Sequence, residues 1–280
     1  MAGKLFTLAL SPKPMDFSGK VVVITGASDG IGAELARQLA STGARLALAA
    51  RHAGRLEAVA DQCRAAGAEA LALVTDVARD EDCGRLMART LERYDAIDVL
   101  VANAGVSMHA RFDEITDFTT FERLLRINAL GTVSCVRHAW GALKASRGLV
   151  VGVSSLAGRT GVPGRTTYCM SKFAQTGFLE ALRIEAAESG VAVTVVYPGV
   201  VATEIRRHGW RGDGEQAGVS GLDEADAMPV AECARQIVQA MRARRRELVM
   251  TRKARLGLWL KMFAPGLVDN MARAALARRP

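Results

Sequence analysis

At 280 residues, 50% of them hydrophobic and 24% charged, the chain is too apolar for disorder and long enough for one large α/β domain or two small ones. The net charge of +8 is concentrated: residues 241–280 hold eleven Lys and Arg against Glu247 and Asp269, which is 11 − 2 = +9, so residues 1–240 sum to −1 and a general nucleic-acid binder is excluded. Five scattered cysteines (Cys63, Cys83, Cys135, Cys169, Cys233), without CxxC spacing, argue against a zinc site or a disulfide framework and for a reducing compartment, so the expected location is cytoplasmic.

Residues 1–19 read as an N-terminal extension. Its apolar run Leu5 to Leu10 is too short to span a bilayer or to form the core of a secretion signal. Short β-branched runs then alternate with helical patterns. The predicted strands are Lys20–Thr25, Arg45–Ala50, Ala70–Val74, Val99–Ala102, Leu149–Ser154, Ala192–Tyr197 and Glu247–Met250. Helices are predicted over Ile31–Ser41, Arg55–Ala66, Asp80–Arg93, Phe121–Ala145, Thr167–Ser189 and Val230–Arg244. Near-continuous apolar strands between helices predict a doubly wound, mostly parallel sheet of about seven strands, covered on both faces, in one domain over residues 20–252. Residues 203–228 break the alternation with a polar, glycine-containing excursion after a strand, which predicts a substrate lid. Residues 253–280 form a basic amphipathic tail.

The first strand runs into Gly26-Ala-Ser28-Asp29-Gly30-Ile31-Gly32, and a helix pattern follows. Glycines there permit a tight turn, close backbone approach to a pyrophosphate, and close packing of helix on strand, while the helix N-terminus favours an anion. The end of the next strand, about 20 residues on, is where a carboxylate would bind the ribose 2′-hydroxyl of NAD. This chain has Arg51 and His52 there instead. A guanidinium suits a 2′-phosphate, and NADP(H) is the expected cofactor.

Tyr168 and Lys172 stand at i and i+4 on one helix face, where an ammonium would lower a phenol's pKa and make it an acid–base group. The same spacing also occurs on ordinary amphipathic helices. Ser154 and Ser155 end a strand, where a hydroxyl can polarise a carbonyl or simply cap a turn. Asn128 lies inside an apolar helical run, which suits a buried amide bonded to a backbone carbonyl or a water.

Taken in order, TGASDGIG (25–32), Asp76-Val77, Asn103-Ala104-Gly105, Asn128, Ser155, Tyr168-x-x-x-Lys172 and YPGVVAT (197–203) resemble the short-chain dehydrogenase/reductase family over residues ~20–250. Ser155, thirteen residues before Tyr168, has the family's spacing. The resemblance implies a catalytic tetrad of Asn128, Ser155, Tyr168 and Lys172. In it Tyr168 moves the proton, Ser155 polarises the carbonyl, Lys172 lowers the tyrosine pKa and binds the nicotinamide ribose, and Asn128 holds a relay water. It further implies that Asp76 and Val77 contact adenine, that Asn103, Ala104 and Gly105 support the sheet beside the cofactor, and that Pro198, Gly199, Val201 and Thr203 flank the nicotinamide. Asp29 departs from the small or neutral residue usual in the cradle and must point outward. Ala102 replaces a frequent Asn.

The expected activity is NADP-dependent interconversion of a carbonyl and a secondary alcohol on an apolar (lipid-, steroid- or retinoid-like) substrate, with no metal. The alternatives are an NADPH-binding regulatory protein and a methyltransferase. A homodimer or homotetramer through the long helices is implied. The tail, apolar with flanking arginines, suits peripheral contact with an anionic membrane, a cover for the pocket, or a subunit interface.

Overall fold

A computed structural model describes residues 14–220 and 227–277 of the chain, with side chains to residue 274. The expected run Leu5 to Leu10 and part of the expected lid, residues 221–226, lie outside the described residues, as do Arg278 and Arg279.

Seven parallel strands form one sheet: β1 (Val21–Thr25), β2 (Arg45–Ala50), β3 (Ala70–Val74), β4 (Val99–Ala102), β5 (Leu149–Val153), β6 (Ala192–Tyr197) and β7 (Glu247–Val249). Their order is β3-β2-β1-β4-β5-β6-β7. Helices α1 (Gly30–Ala40), α2 (Ala53–Ala65) and α7 (Val230–Arg242) cover one face. The other is covered by α3 (Asp80–Tyr94), α5 (Gly131–Ser146) and α6 (Thr166–Glu185), with α4 (Thr119–Leu125) packed against α6. The doubly wound architecture is therefore as the alternation predicts.

Successive β1 side chains show why its sequence is apolar without a break. Val22 and Ile24 join the core under α1 and α7, whereas Val21 and Val23 join the core under α3, α5 and α6. Each fully buried aliphatic side chain contributes on the order of 1.5–3 kcal/mol. Strand order reverses at β1, which has β2 on one side and β4 on the other. In such sheets this leaves a crevice at the strands' carboxyl ends.

Two helical stretches differ from expectation. The run predicted as one helix over Phe121–Ala145 is interrupted by a π-turn at Arg126–Leu130, between α4 and α5. The interruption centres on Asn128, whose side chain reaches out of the helix to the loop after β4. The run predicted to end at Ser189 leaves α-helical form at Glu185. It finishes in a 3₁₀ turn, Ala186–Ser189, closed by Gly190 at φ 74°. The tail forms α8 (Arg252–Phe263) and α9 (Pro265–Ala277). No helix among the described residues is long and apolar enough to cross a membrane.

Asp98 pins the start of β1 to the start of β4. Its buried carboxylate accepts from the Val21 backbone N–H (2.9 Å) and from Lys20 Nζ (2.8 Å). Asp98→Ala leaves a buried N–H without its acceptor. It should lower stability by about 1–3 kcal/mol, read as a fall in the urea midpoint.

Candidate active site

The residues directly after six strands, namely Gly26, Arg51, Thr75, Asn103, Ser154 and Pro198, all line one cleft of about 1150 Å³. Its floor is the turn between β1 and α1. Gly26 and Gly30 have φ of +66° and +53°, in the left-handed region that disfavours other residues. A Cβ on Gly32 would lie 2.3 Å from the Gly26 carbonyl oxygen and 2.6 Å from Asn103 Nδ2. The third glycine thus lets the helix seat against the strand end. Asn103 holds that end in place: its amide donates to the carbonyls of Thr25 (2.9 Å) and Gly26 (3.2 Å). Thr25 Oγ1 in turn accepts from the Asn103 and Ala104 N–H groups, both at 3.0 Å. Ser28, Asp29, Gly30 and Ile31 face the cleft from the turn. Asp29 is exposed and caps α1, accepting from Gly30 N at 2.6 Å. Backbone that approaches this closely, at a helix N-terminus, fits a dinucleotide pyrophosphate.

Arg51 and His52 line the wall at the end of β2, and Arg55 joins them one helical turn on. Arg55 was not singled out from the sequence, although its i+4 spacing from Arg51 was a usable signal. Asp76 and Val77 line the adjoining wall. Asp76 Oδ1 accepts from Ala78 N (3.0 Å), which fixes the carboxylate.

Asn103, Ala104, Gly105, Pro198, Gly199, Val201 and Thr203 also line the cleft, as do Ser155, Tyr168 and Lys172. The paired serines separate in space. Ser154 Oγ is buried against Thr176 Oγ1 (3.0 Å) and the Lys172 carbonyl (3.3 Å), whereas Ser155 lines the cleft with Tyr168 and its Oγ accepts from Ala157 N (3.2 Å). Asn128 and Gly32 lie beneath the lining. Asn128 Oδ1 accepts from Val106 N (2.8 Å), while its Nδ2 donates to Val106 O (3.0 Å) and Ser171 Oγ (2.9 Å). Its fully buried amide bonds backbone, as expected of an Asn inside an apolar helical run.

Burial dominates the electrostatics of the two titratable groups, Tyr168 and Lys172. Burial pushes the Tyr168 pKa up, opposed first by the Arg165 guanidinium and then by the neighbouring Ser155 hydroxyl. Arg165 lies 5.3 Å from the phenol ring centroid. Burial of the Lys172 amine lowers its pKa to about 7 and so weakens its charge near neutrality. Lys172 Nζ is held by Val153 O (3.0 Å) and Gln175 Oε1 (3.1 Å), beside Gly105.

The far end of the cleft mixes apolar and cationic groups. Val106, Ile127, Ile205 and Trp210 stand with Arg123, Arg165, Arg206 and His208. Arg123 stacks 3.9 Å over the Trp210 ring, and Trp210 pairs with the loop after β4 through Ser107 and His109. The sequence carried no signal for these cations, because they come from α4, the start of α6 and the irregular segment after β6.

Gly32→Ala should drive a methyl into the Gly26 carbonyl, abolishing dinucleotide binding in a fluorescence titration and lowering Tm by several degrees. The unfolded chain retains a lysine pKa near 10.5, so above pH ~7 it binds more protons than the folded state, and Lys172 makes stability rise with pH there. Between pH ~7 and ~8.5 that rise should amount to about 1–2 kcal/mol and vanish in Lys172→Met, measured as the difference between the two proteins' urea midpoints.

Comparison with known proteins points one way. A family model described as short chain dehydrogenase matches residues 20–213. The chain is 33% identical over 267 residues to a dehydrogenase/reductase SDR family protein 7-like from Dictyostelium discoideum, covering 93% of this chain and 83% of that one. It is 34% identical over 273 residues to 11-beta-hydroxysteroid dehydrogenase A of Sesamum indicum, covering 95% and 78%. Among solved structures, an alcohol dehydrogenase from the archaeon Thermococcus sibiricus complexed with 5-hydroxy-NADP superposes with a TM-score of 0.73 at 29% identity, over 82% of this chain and 95% of that one. A short chain dehydrogenase/reductase from Burkholderia phymatum in complex with NAD shares the fold, with a TM-score of 0.79 at 24% identity over 90% and 96%.

Proposed function

Because the chain belongs to the short-chain dehydrogenase/reductase family of oxidoreductases, we propose that it interconverts a carbonyl and a secondary alcohol on an apolar substrate, using NADP(H) and Tyr168 as the acid–base group. The observation that carries this reading is the convergence of Ser155, Tyr168 and Lys172 on one cleft with the glycine cradle. A nicotinamide cofactor, when bound, supplies or takes up the hydride. The chain's own residues handle the proton and the oxygen charge.

In the reducing direction, Ser155 donates to the substrate oxygen as negative charge grows on it, and Tyr168 delivers the proton. Loss of that proton leaves a phenolate, whose charge raises the proton affinity of a nearby amine. Lys172, poised near 7 by burial, then holds a positive charge when the phenolate most needs one. Asn128 keeps the loop at Val106 in position behind this group.

The preference for NADP(H) is supported by Arg51 and Arg55 at the wall that follows β2, where the sequence has no Asp or Glu. Guanidinium forks match a 2′-phosphate. The relatives named as 11-beta-hydroxysteroid dehydrogenases act, by those names, on steroids, which favours an apolar substrate here. Val106, Ile127, Ile205 and Trp210 provide apolar wall for one, under a lid formed by the segment after β6. Exposed Leu130, Met170, Phe173 and Ile184, in and around the helices behind the site, suit a homodimer or homotetramer.

A panel of apolar ketones and aldehydes, followed by NADPH consumption, tests the activity. No turnover with any member, despite tight NADPH binding, would favour a regulatory binding protein. Tyr168→Phe should lower kcat by about 10²–10⁴-fold while NADPH still binds, and wild-type turnover in that variant refutes the assignment. Arg51→Asp should move the NADPH/NADH ratio of kcat/KM toward NADH by roughly tenfold or more, and an unchanged ratio removes the 2′-phosphate role.

A further inference from the structure

Helix α8 is apolar on two opposite sides, and only one of them is covered. Ala254, Leu258 and Lys261, at i, i+4 and i+7, form its inner side. Ala254 and Leu258 pack on the core, while Lys261 Nζ donates to Arg159 O (2.9 Å). On the opposite side, Leu256, Trp259 and Phe263, at i, i+3 and i+7, are 65%, 59% and 68% exposed. Trp259 and Phe263 touch each other, with ring centroids 4.9 Å apart. Met262 flanks this stripe, and exposed Leu267 and Met271 continue it on α9. A helix apolar all round is normally buried, so this stripe calls for a cover.

The charges around the stripe identify the cover. Arg252, Lys253 and Arg255 are exposed at the start of α8, which has no acidic residue. Among the described side chains from residue 252 on, five Lys and Arg (Arg252, Lys253, Arg255, Lys261, Arg273) stand against Asp269 alone, 5 − 1 = +4. A symmetric contact with a second copy would bring this patch against itself, cation on cation. A negatively charged apolar surface has no such conflict. We infer that the outer side of α8, continued by α9, is a docking surface for the face of an anionic lipid bilayer, with Leu256, Trp259 and Phe263 entering the headgroup boundary and the flanking cations meeting lipid phosphates. At twelve residues, α8 is about 18 Å long, too short to span and suited to lie in the interface plane.

The test is co-sedimentation of the full chain with phosphatidylcholine vesicles, with or without roughly one-third phosphatidylglycerol. Trp259 emission is followed alongside. The bound fraction should be about tenfold or more higher on the anionic vesicles, fall as salt is raised, and be accompanied by a blue shift. Leu256→Glu with Phe263→Glu should remove about nine-tenths of the binding with an unchanged thermal midpoint. Should that double variant not fold, Arg252→Glu with Lys253→Glu, at exposed charged positions, must cut binding to anionic vesicles several-fold. Equal partition onto both vesicle types, or none onto either, overturns the proposal. So does a wild-type dimer in gel filtration that the Glu double variant converts to monomer, because a second copy would then be the cover.

Discussion

Everything at the site rests on how the carboxyl end of β1 is held. Thr25 and Gly26 end the strand at the point where its two neighbours part, and the Asn103 amide bonds both of their carbonyls. This fixes the turn whose third glycine packs 2.3 Å (as a would-be Cβ) from backbone. Backbone so placed cannot be shifted by a side-chain rotamer change, so the floor of the cleft is as rigid as the sheet beneath it. The walls can then vary: each begins at the first residue after a strand, and its chemistry is free to differ while its origin is not.

Burial sets the chemistry at the catalytic end, and it acts in opposite directions on the two groups that matter. It raises the phenol of Tyr168 and lowers the amine of Lys172, in both cases by disfavouring the charged form. The cost falls on folding, and it leaves an amine that can exchange a proton near neutrality. Arg165 adds a charge beside the phenol that does not titrate in this range, so part of the field on Tyr168 is constant with pH.

The irregular segment after β6 and the loop after β4 are held to each other through Trp210, Ser107 and His109. This joins the far end of the cleft to Asn128, which clamps the same loop from behind. A change at either place would be felt at both. The contact is carried by backbone hydrogen bonds, and the cation–π stack ties Trp210 to Arg123 of α4 as well; both are interactions of modest strength.

The order of elements, the parallel sheet and the glycine cradle were legible in the residues alone, because they depend on local patterns: β-branched runs, helical periodicity and glycines between them. Tyr168 and Lys172 stood out as a spacing along one helix, whereas Ser155 was preferred to Ser154 through the resemblance to the family. Only the tertiary structure brought Arg123, Arg165 and Arg206 to the far end of the cleft, since their elements are distant in sequence and nothing local marks where they meet. It alone identified Val106 as the backbone that the buried amide of Asn128 bonds, and showed that the lysine's charge is weakened by the burial that brings it there. Desolvation and long-range contact are properties of the packed chain, and no window of sequence contains them.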